Sequence, residues 1–296
     1  MQNRRTFLKT AAAAMIAPAL LPPKKPLLAF STLGCPGWTL DQVLACAVTN
    51  RYQGVELRGI KGELDLPKCP DLSSPERINA TRQKLVDKNV SVVNLGSSAN
   101  LHFVDPKKRT DQLDHAKRFI DLAQELNCPF VRVFPNDLPP DQDRAQTLDL
   151  ITSGLAELGD HARNGRVSVL LESHGKVIES PMLKQIMTGA NRPNVGLIWD
   201  IVNMWSVTKE PLAEVYKTLK PYIQHVHVKD AKLVDAKLQY TLTGEGEMPL
   251  AEAIRLLRAG GYEGYYSFEW EKMWHPDLPD PEIALPHYPK AMNAYF

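Results

Sequence analysis

Cysteine is scarce in this chain: four in 296 residues (Cys35, Cys46, Cys69, Cys128), with no C-x-x-C spacing among them. That pattern argues against a cysteine nucleophile. Cys46 falls on a helical stripe and reads as core; Cys35 and Cys69 stand in Pro-rich loops, where a disulfide remains open. A Gly-rich phosphate loop is also missing after the first strand-like run, where the chain reads Thr32-Leu33-Gly34-Cys35-Pro36-Gly37-Trp38. This disfavours a doubly wound dinucleotide fold. Neither sign of charge dominates, with 35 Lys and Arg against 34 Asp and Glu. No charge-rich linker or low-complexity break divides the chain, so it reads as one domain. A hydrophobic fraction of 44% and a charged fraction of 23% supply a large core and an ordinary soluble surface.

Acids are absent before Asp41. Asn3-Arg4-Arg5-Thr6-Phe7-Leu8-Lys9 leads into a mildly apolar, Ala-rich run that closes on Ala17-Pro18-Ala19, an A-x-A cleavage pattern. The segment resembles a twin-arginine export signal, which implies a signal peptide over 1–19, a mature domain over 20–296, the export machinery as a partner and a periplasmic or otherwise exported location. Its apolar run is too short to span a bilayer, so no lasting membrane anchor is expected. Removal of 1–19 takes Arg4, Arg5 and Lys9, leaving 32 Lys and Arg against 34 Asp and Glu, a net charge near −2. Nucleic-acid binding depends on clustered cations and is not expected; a neutral small molecule is.

Eight β-like runs alternate with helical stripes: 27–32, 54–58, 90–95, 129–134, 167–172, 194–200, 223–229 and 264–270. Their starts recur about every 34 residues, the spacing of a βα repeat. Between them, Leu40, Val43, Leu44 and Ala47 form an i, i+3, i+4, i+7 stripe behind Thr39 as N-cap. Ser74-Pro75-Glu76 reads as the start of another helix, and Gly260-Gly261 as the end of a third. The expected architecture is an α/β, single-domain (β/α)8 TIM barrel. The aromatic, Pro-rich tail after Glu271 is expected to fold back near the last loop.

Glu172, Asp200, His227 and Glu269 each stand at the carboxyl end of one of the last four runs. In a parallel barrel such ends converge on one mouth. Parity supports this: His225, His227 and Lys229 share one face of their run, and Ser267, Glu269 and Glu271 one face of theirs. Each residue alone has a plainer role. Asp200 would cap the next helix, and His227 would be a core histidine. Three buried acids at one mouth cost several kcal/mol unless paired or metal-bound, so the set points to one divalent ion. Such an oxygen-rich set with one imidazole suits Mn²⁺, Mg²⁺ or Co²⁺, with Zn²⁺ also possible.

Gly54-Val55-Glu56-Leu57-Arg58, Leu171-Glu172-Ser173-His174-Gly175, Trp199-Asp200, His225-Val226-His227-Val228-Lys229-Asp230, Gly244-Glu245-Gly246-Glu247 and Ser267-Phe268-Glu269-Trp270-Glu271 are spread along the chain. Together they resemble the xylose-isomerase-like barrel superfamily, in particular its sugar isomerases and epimerases, including ketose 3-epimerases and inosose-processing enzymes. The resemblance implies that Glu172, Asp200, His227 and Glu269 bind the metal and that Glu172 and Glu269 form the acid/base pair. It departs at Asn203, where such epimerases carry His, at Leu233, where they carry Arg, and at Ile178, where they carry Glu. Glu179 reads instead as the start of a helix. His174, Asn203 and Lys229 are expected substrate contacts, with Arg58, His102 and Glu271 as further candidates; Arg58 could instead pair with Glu56.

The implied activity is isomerisation or epimerisation of an unphosphorylated keto sugar or polyol through an enediolate. A lyase or hydratase acting on a keto sugar or 3-keto glycoside is the alternative. An abasic-site endonuclease and an inactive sugar-binding protein are weaker readings. A homo-oligomer is compatible with all of these.

Overall fold

The computed structural model describes residues 25–235 and 237–296; the expected signal peptide and its cleavage site lie outside them. Seven parallel strands come first: β1 (Leu27–Ser31), β2 (Gly54–Leu57), β3 (Ser91–Asn100), β4 (Phe130–Phe134), β5 (Ser168–Glu172), β6 (Val195–Asp200) and β7 (Ile223–Val228). A hairpin of β8 (Asp230–Val234) and β9 (Lys237–Thr241) follows, and then β10 (Tyr265–Phe268) closes the barrel between β7 and β1. The eight barrel strands match the eight runs read from the sequence. β3 runs further than expected, to Asn100.

Helices α1 (Leu40–Thr49), α2 (Pro75–Lys88), α3 (Pro106–Leu126), α4 (Arg144–Ala162) and α5 (Ser180–Ala190) follow the first five strands. The pair α6 (Ile201–Thr208) and α7 (Leu212–Leu219) follows β6, α8 (Leu250–Ala259) follows the hairpin, and α9 (Pro281–Met292) follows β10. Thr39 caps α1 in a full capping box with Gln42, and the Ser74 side chain caps α2. Glu179 is the N-cap residue of α5. The stripes Leu40, Val43, Leu44, Ala47 and Leu212, Val215, Tyr216, Leu219 are buried against the strands. No described helix is long and apolar enough to cross a membrane.

The tail does more than fold back: as α9 it is the barrel's eighth outer helix. Pro289 within it has no N–H, so the Leu285 carbonyl lacks its helical donor and accepts the Tyr52 hydroxyl at 2.7 Å. Tyr288 stacks on Phe268 at 4.5 Å, fixing the helix to β10. All four cysteines are free, and Cys46 is half-buried against the core.

The hairpin was not expected from the sequence. It is tied down by Asp230, whose carboxylate accepts the backbone N–H groups of Ala231 at 2.9 Å, Gly244 at 2.8 Å and Gly246 at 3.1 Å. Any side chain at 246 would collide with that carboxylate, which explains the second glycine of Gly244-Glu245-Gly246-Glu247.

Candidate metal centre

Strand ends deliver the four residues to one place. β5 ends on Glu172, β6 ends on Asp200, His227 lies one residue before the end of β7, and Glu269 directly follows β10. Register does the fine placement, setting Asp200 and Ser267 opposite His227 on either side. The Glu269 N–H donates to the Val228 carbonyl at 3.0 Å and extends that ladder by one rung. One ligand atom from each of Glu172, Asp200, His227 and Glu269 lies within 4.8 Å of all the others, and all four residues are buried.

Within this group His227 Nδ1 faces Glu172 Oε1 at 3.3 Å and Glu269 Oε1 at 3.4 Å. The Lys229 ammonium, wholly buried, lies 2.6 Å from Glu269 Oε2, 2.8 Å from Asp200 Oδ2 and 2.8 Å from Glu271 Oε1. Arg132 Nη1 donates to Glu172 Oε2 at 3.0 Å and stands 3.7 Å from Glu269 Oε1. Asp200 fills its plainer role as well: Oδ1 accepts the Asn203 N–H at 2.9 Å and caps α6. Its other oxygen is left for the centre.

Charge tells what the group can hold. Four buried carboxylates (Glu172, Asp200, Glu269, Glu271) lie within ion-pair distance of two cations, Arg132 and Lys229, an excess of negative charge before His227 is counted. That excess favours bound protons in the metal-free chain. Burial pushes the Asp200 carboxyl up to about 7; Glu269 and Glu172 add to the push and Lys229 opposes it. Burial alone would lower the His227 imidazole, but the Glu269, Glu56 and Glu172 carboxylates hold it well above its ordinary value. Glu269 moves the other way: His227 and Lys229 overcome burial and keep it well below the usual carboxylate range. A divalent cation in the group would supply the positive charge that both shifts show the acids to draw in. Three carboxylates and an imidazole are also the donors that Mn²⁺, Mg²⁺, Co²⁺ or Zn²⁺ accepts, so the residues fit such an ion.

Above the group opens a cavity of about 220 Å³, lined by Glu172 and Glu269 below and by Arg58, His174, Asn203, Glu271, Phe134 and Trp274 around. Four of the expected substrate contacts therefore face one space. His174 Nδ1 is held 2.7 Å from Asn136 Oδ1, and burial lowers the pKa of its ring. Lys229, an expected substrate contact, is wholly buried, bonds to Glu269 and Glu271 and is not part of the cavity lining. His102 stands apart from the cavity lining, its ring against Phe103 at 4.2 Å. Arg58 does not pair with Glu56. Its Nη2 donates to Ser98 Oγ at 2.8 Å, and its buried Nη1 has no hydrogen-bond partner among the described residues. Gly96 makes room for it, since a Cβ there would come 2.9 Å from Arg58 Cδ.

Two residues of the centre escaped the sequence reading. Arg132 bridges the acids from β4, and Glu56 on β2 lies against both His225 and His227. The signal was available. Arg132 is flanked by Val131 and Val133, and Glu56 by Val55 and Leu57, the same alternation that marks the inner faces of β7 and β10.

Barrel, strand-end acids and cavity together define the class. The chain belongs to the xylose isomerase-like TIM barrel family, whose model matches residues 47–287. Fructoselysine 3-epimerase of Shigella flexneri is 25% identical over 239 residues, 75% of this chain and 82% of its own. Inosose dehydratase of Geobacillus thermodenitrificans (strain NG80-2) is 27% identical over 155 residues, 47% of this chain and 49% of its own. Among solved structures, that of the IOLI protein with a zinc atom matches with a TM-score of 0.77 at 17% identity, covering 90% of this chain and 97% of that one. The last likeness speaks for the fold alone. The relatives include both epimerising and dehydrating enzymes, so an enzyme is indicated and its reaction type is left to chemistry.

Proposed function

We propose that this chain is a metal-dependent isomerase or epimerase acting on an unphosphorylated keto sugar or polyol. The observation that carries the reading is the convergence of Glu172, Asp200, His227 and Glu269, four buried residues each with a ligand atom within 4.8 Å of the others, at one cavity of the barrel mouth. Such an ion, when bound, polarises the keto group and stabilises enediolate charge. The chain's own residues do the rest. Glu172 and Glu269 each bring a carboxylate oxygen to His227 Nδ1, at 3.3 and 3.4 Å, and one removes a proton that the other returns. Arg132 and Lys229 hold these carboxylates in place, while Arg58, His174 and Asn203 offer polar groups to sugar oxygens. Phe134 and Trp274 give the sugar apolar surface to pack on.

A lyase reading keeps the same residues but expels water from the enediolate. It is supported by Asn203, which can hydrogen-bond a sugar oxygen but cannot carry a proton, and by the likeness to inosose dehydratase. Turnover of unphosphorylated ketoses and 3-keto glycosides in D₂O, after loading with Mn²⁺, Co²⁺ or Mg²⁺, separates the two. Deuterium in an isomeric sugar supports epimerisation, and a product lighter by one water supports the lyase. Sugar binding without turnover in every metal would sink the enzyme reading.

The Arg4-Arg5 segment supports an exported, periplasmic protein. A reporter fused behind residues 1–24 should leave the cytoplasm, and Arg4→Lys with Arg5→Lys should retain it there.

A further inference from the structure

Glu56 is an unusual residue for the inside of a barrel. It occupies the third position of β2, is 0% exposed, and has no Lys or Arg within ion-pair distance among the described residues. A carboxylate so placed must be held by hydrogen bonds or be strongly destabilising. Its partners come from β7 and β10, neither of which pairs with β2, so they reach it across the barrel interior. Glu56 Oε2 lies 3.0 Å from His227 Nε2, 3.2 Å from His225 Nε2 and 3.4 Å from Ser267 Oγ. An ionised carboxylate only accepts, so each imidazole presents an Nε2–H to it. His227 is thereby oriented with its other nitrogen, Nδ1, toward Glu172 and Glu269.

We propose that Glu56 is a positioning residue for the metal centre: it fixes His227 as the Nε2–H tautomer and aims Nδ1 at the cation as its donor. Carboxylates that grip the far nitrogen of a ligating histidine set its tautomer and raise its basicity. His225 and Ser267 complete the support, since both reach the same Glu56 oxygen and keep the carboxylate in register with the His227 ring. The inference rests on the metal reading above. Glu56, His225 and His227 are also close enough to hold an ion of their own. Three donors converging on one carboxylate oxygen favour hydrogen bonding over ligation.

Calorimetric titration of the metal-free full-length protein with Co²⁺ tests this, alongside the Glu56→Gln and Glu56→Ala variants. One ion per wild-type chain is expected. Glu56→Ala should bind about 10–100-fold more weakly, with Glu56→Gln in between because its amide oxygen can still accept. Long-range ¹H–¹⁵N spectra of the Zn²⁺-loaded wild type should show His227 protonated at Nε2 and metal-bound at Nδ1. A folded Glu56→Ala with unchanged affinity, metal at Nε2, or two ions per chain would each overturn the proposal. Should Glu56→Ala fail to fold, the wild-type spectrum decides alone. A wild type that takes up no divalent ion sinks the metal reading as well, whereas full-strength binding by Glu56→Ala sinks only the role of Glu56.

Discussion

The two ends of the barrel differ in what they enclose. The amino end carries open surface hollows of about 590 and 490 Å³ beside the ends of α2 and α3. Asn89 and Asn127 line these hollows, and both close helices in the left-handed conformation, with φ of 52° and 56°. No cluster of acids and imidazoles gathers there among the described residues. The carboxyl end carries a cavity of about 220 Å³ that Glu172 and Glu269 line. Room marks where helices end, whereas buried charge marks where chemistry can occur.

Exchanging one charge at each end is the hardest test of that contrast. Glu172→Gln or Glu269→Gln should lower turnover by about 10²–10⁴-fold, the range for a lost acid/base group. Arg166→Ala, beside an amino-end hollow, should leave turnover unchanged. Steady-state rates on whichever sugar the metal-loaded protein accepts give both values. Comparable losses at the two ends would break the comparison.

Proton–metal exchange should sharpen it with a somewhat smaller effect. In the metal-free fold both Asp200, at about 7, and His227 sit above their ordinary pKa values. Stability from these bound protons is fully present below the unfolded-state values and is lost as pH rises through the folded ones, for Asp200 through about 7. A divalent ion must displace the same protons, so its apparent affinity should climb over that window. Melting temperatures of the metal-free and Mn²⁺-loaded protein should therefore diverge as pH rises from about 4 to about 8. Parallel curves would show that the ion does not replace those protons.

The mouth was more legible in the sequence than its supports, for a geometric reason. Glu172, Asp200 and Glu269 are found because each ends an apolar run, where parallel strands must converge. Glu56 and Arg132 sit inside their strands, and their partners lie 171 and 40 residues away. Inner-face parity could have flagged them, but only barrel closure pairs β2 with β7 across the interior. The hairpin was hidden because β8 begins two residues after β7 ends, so one polar–apolar alternation ran into the next. α9 was read as a mere tail because Pro286 and Pro289 weigh against a helix there. Stacking on Phe268 and the Tyr52 bond outweigh that preference.

That last contact gives the smallest expected effect, and it belongs to the amino end. Tyr52 stands just before β2, and its hydroxyl satisfies the Leu285 carbonyl that Pro289 leaves without a donor. Tyr52→Phe keeps the ring packed on Phe30 and Tyr288 but leaves a buried acceptor unpaired, a loss of about 1–3 kcal/mol. Pro289→Ala restores an N–H at the position that normally bonds to Leu285, so the same Tyr52→Phe change should cost much less in that background. Denaturant unfolding of the wild type, both single variants and the double variant measures the coupling directly. Metal affinity should be the same in all four, because nothing in this contact reaches the mouth. Equal costs in the two backgrounds would mean that the hydroxyl stabilises the ring itself and not the proline-freed carbonyl.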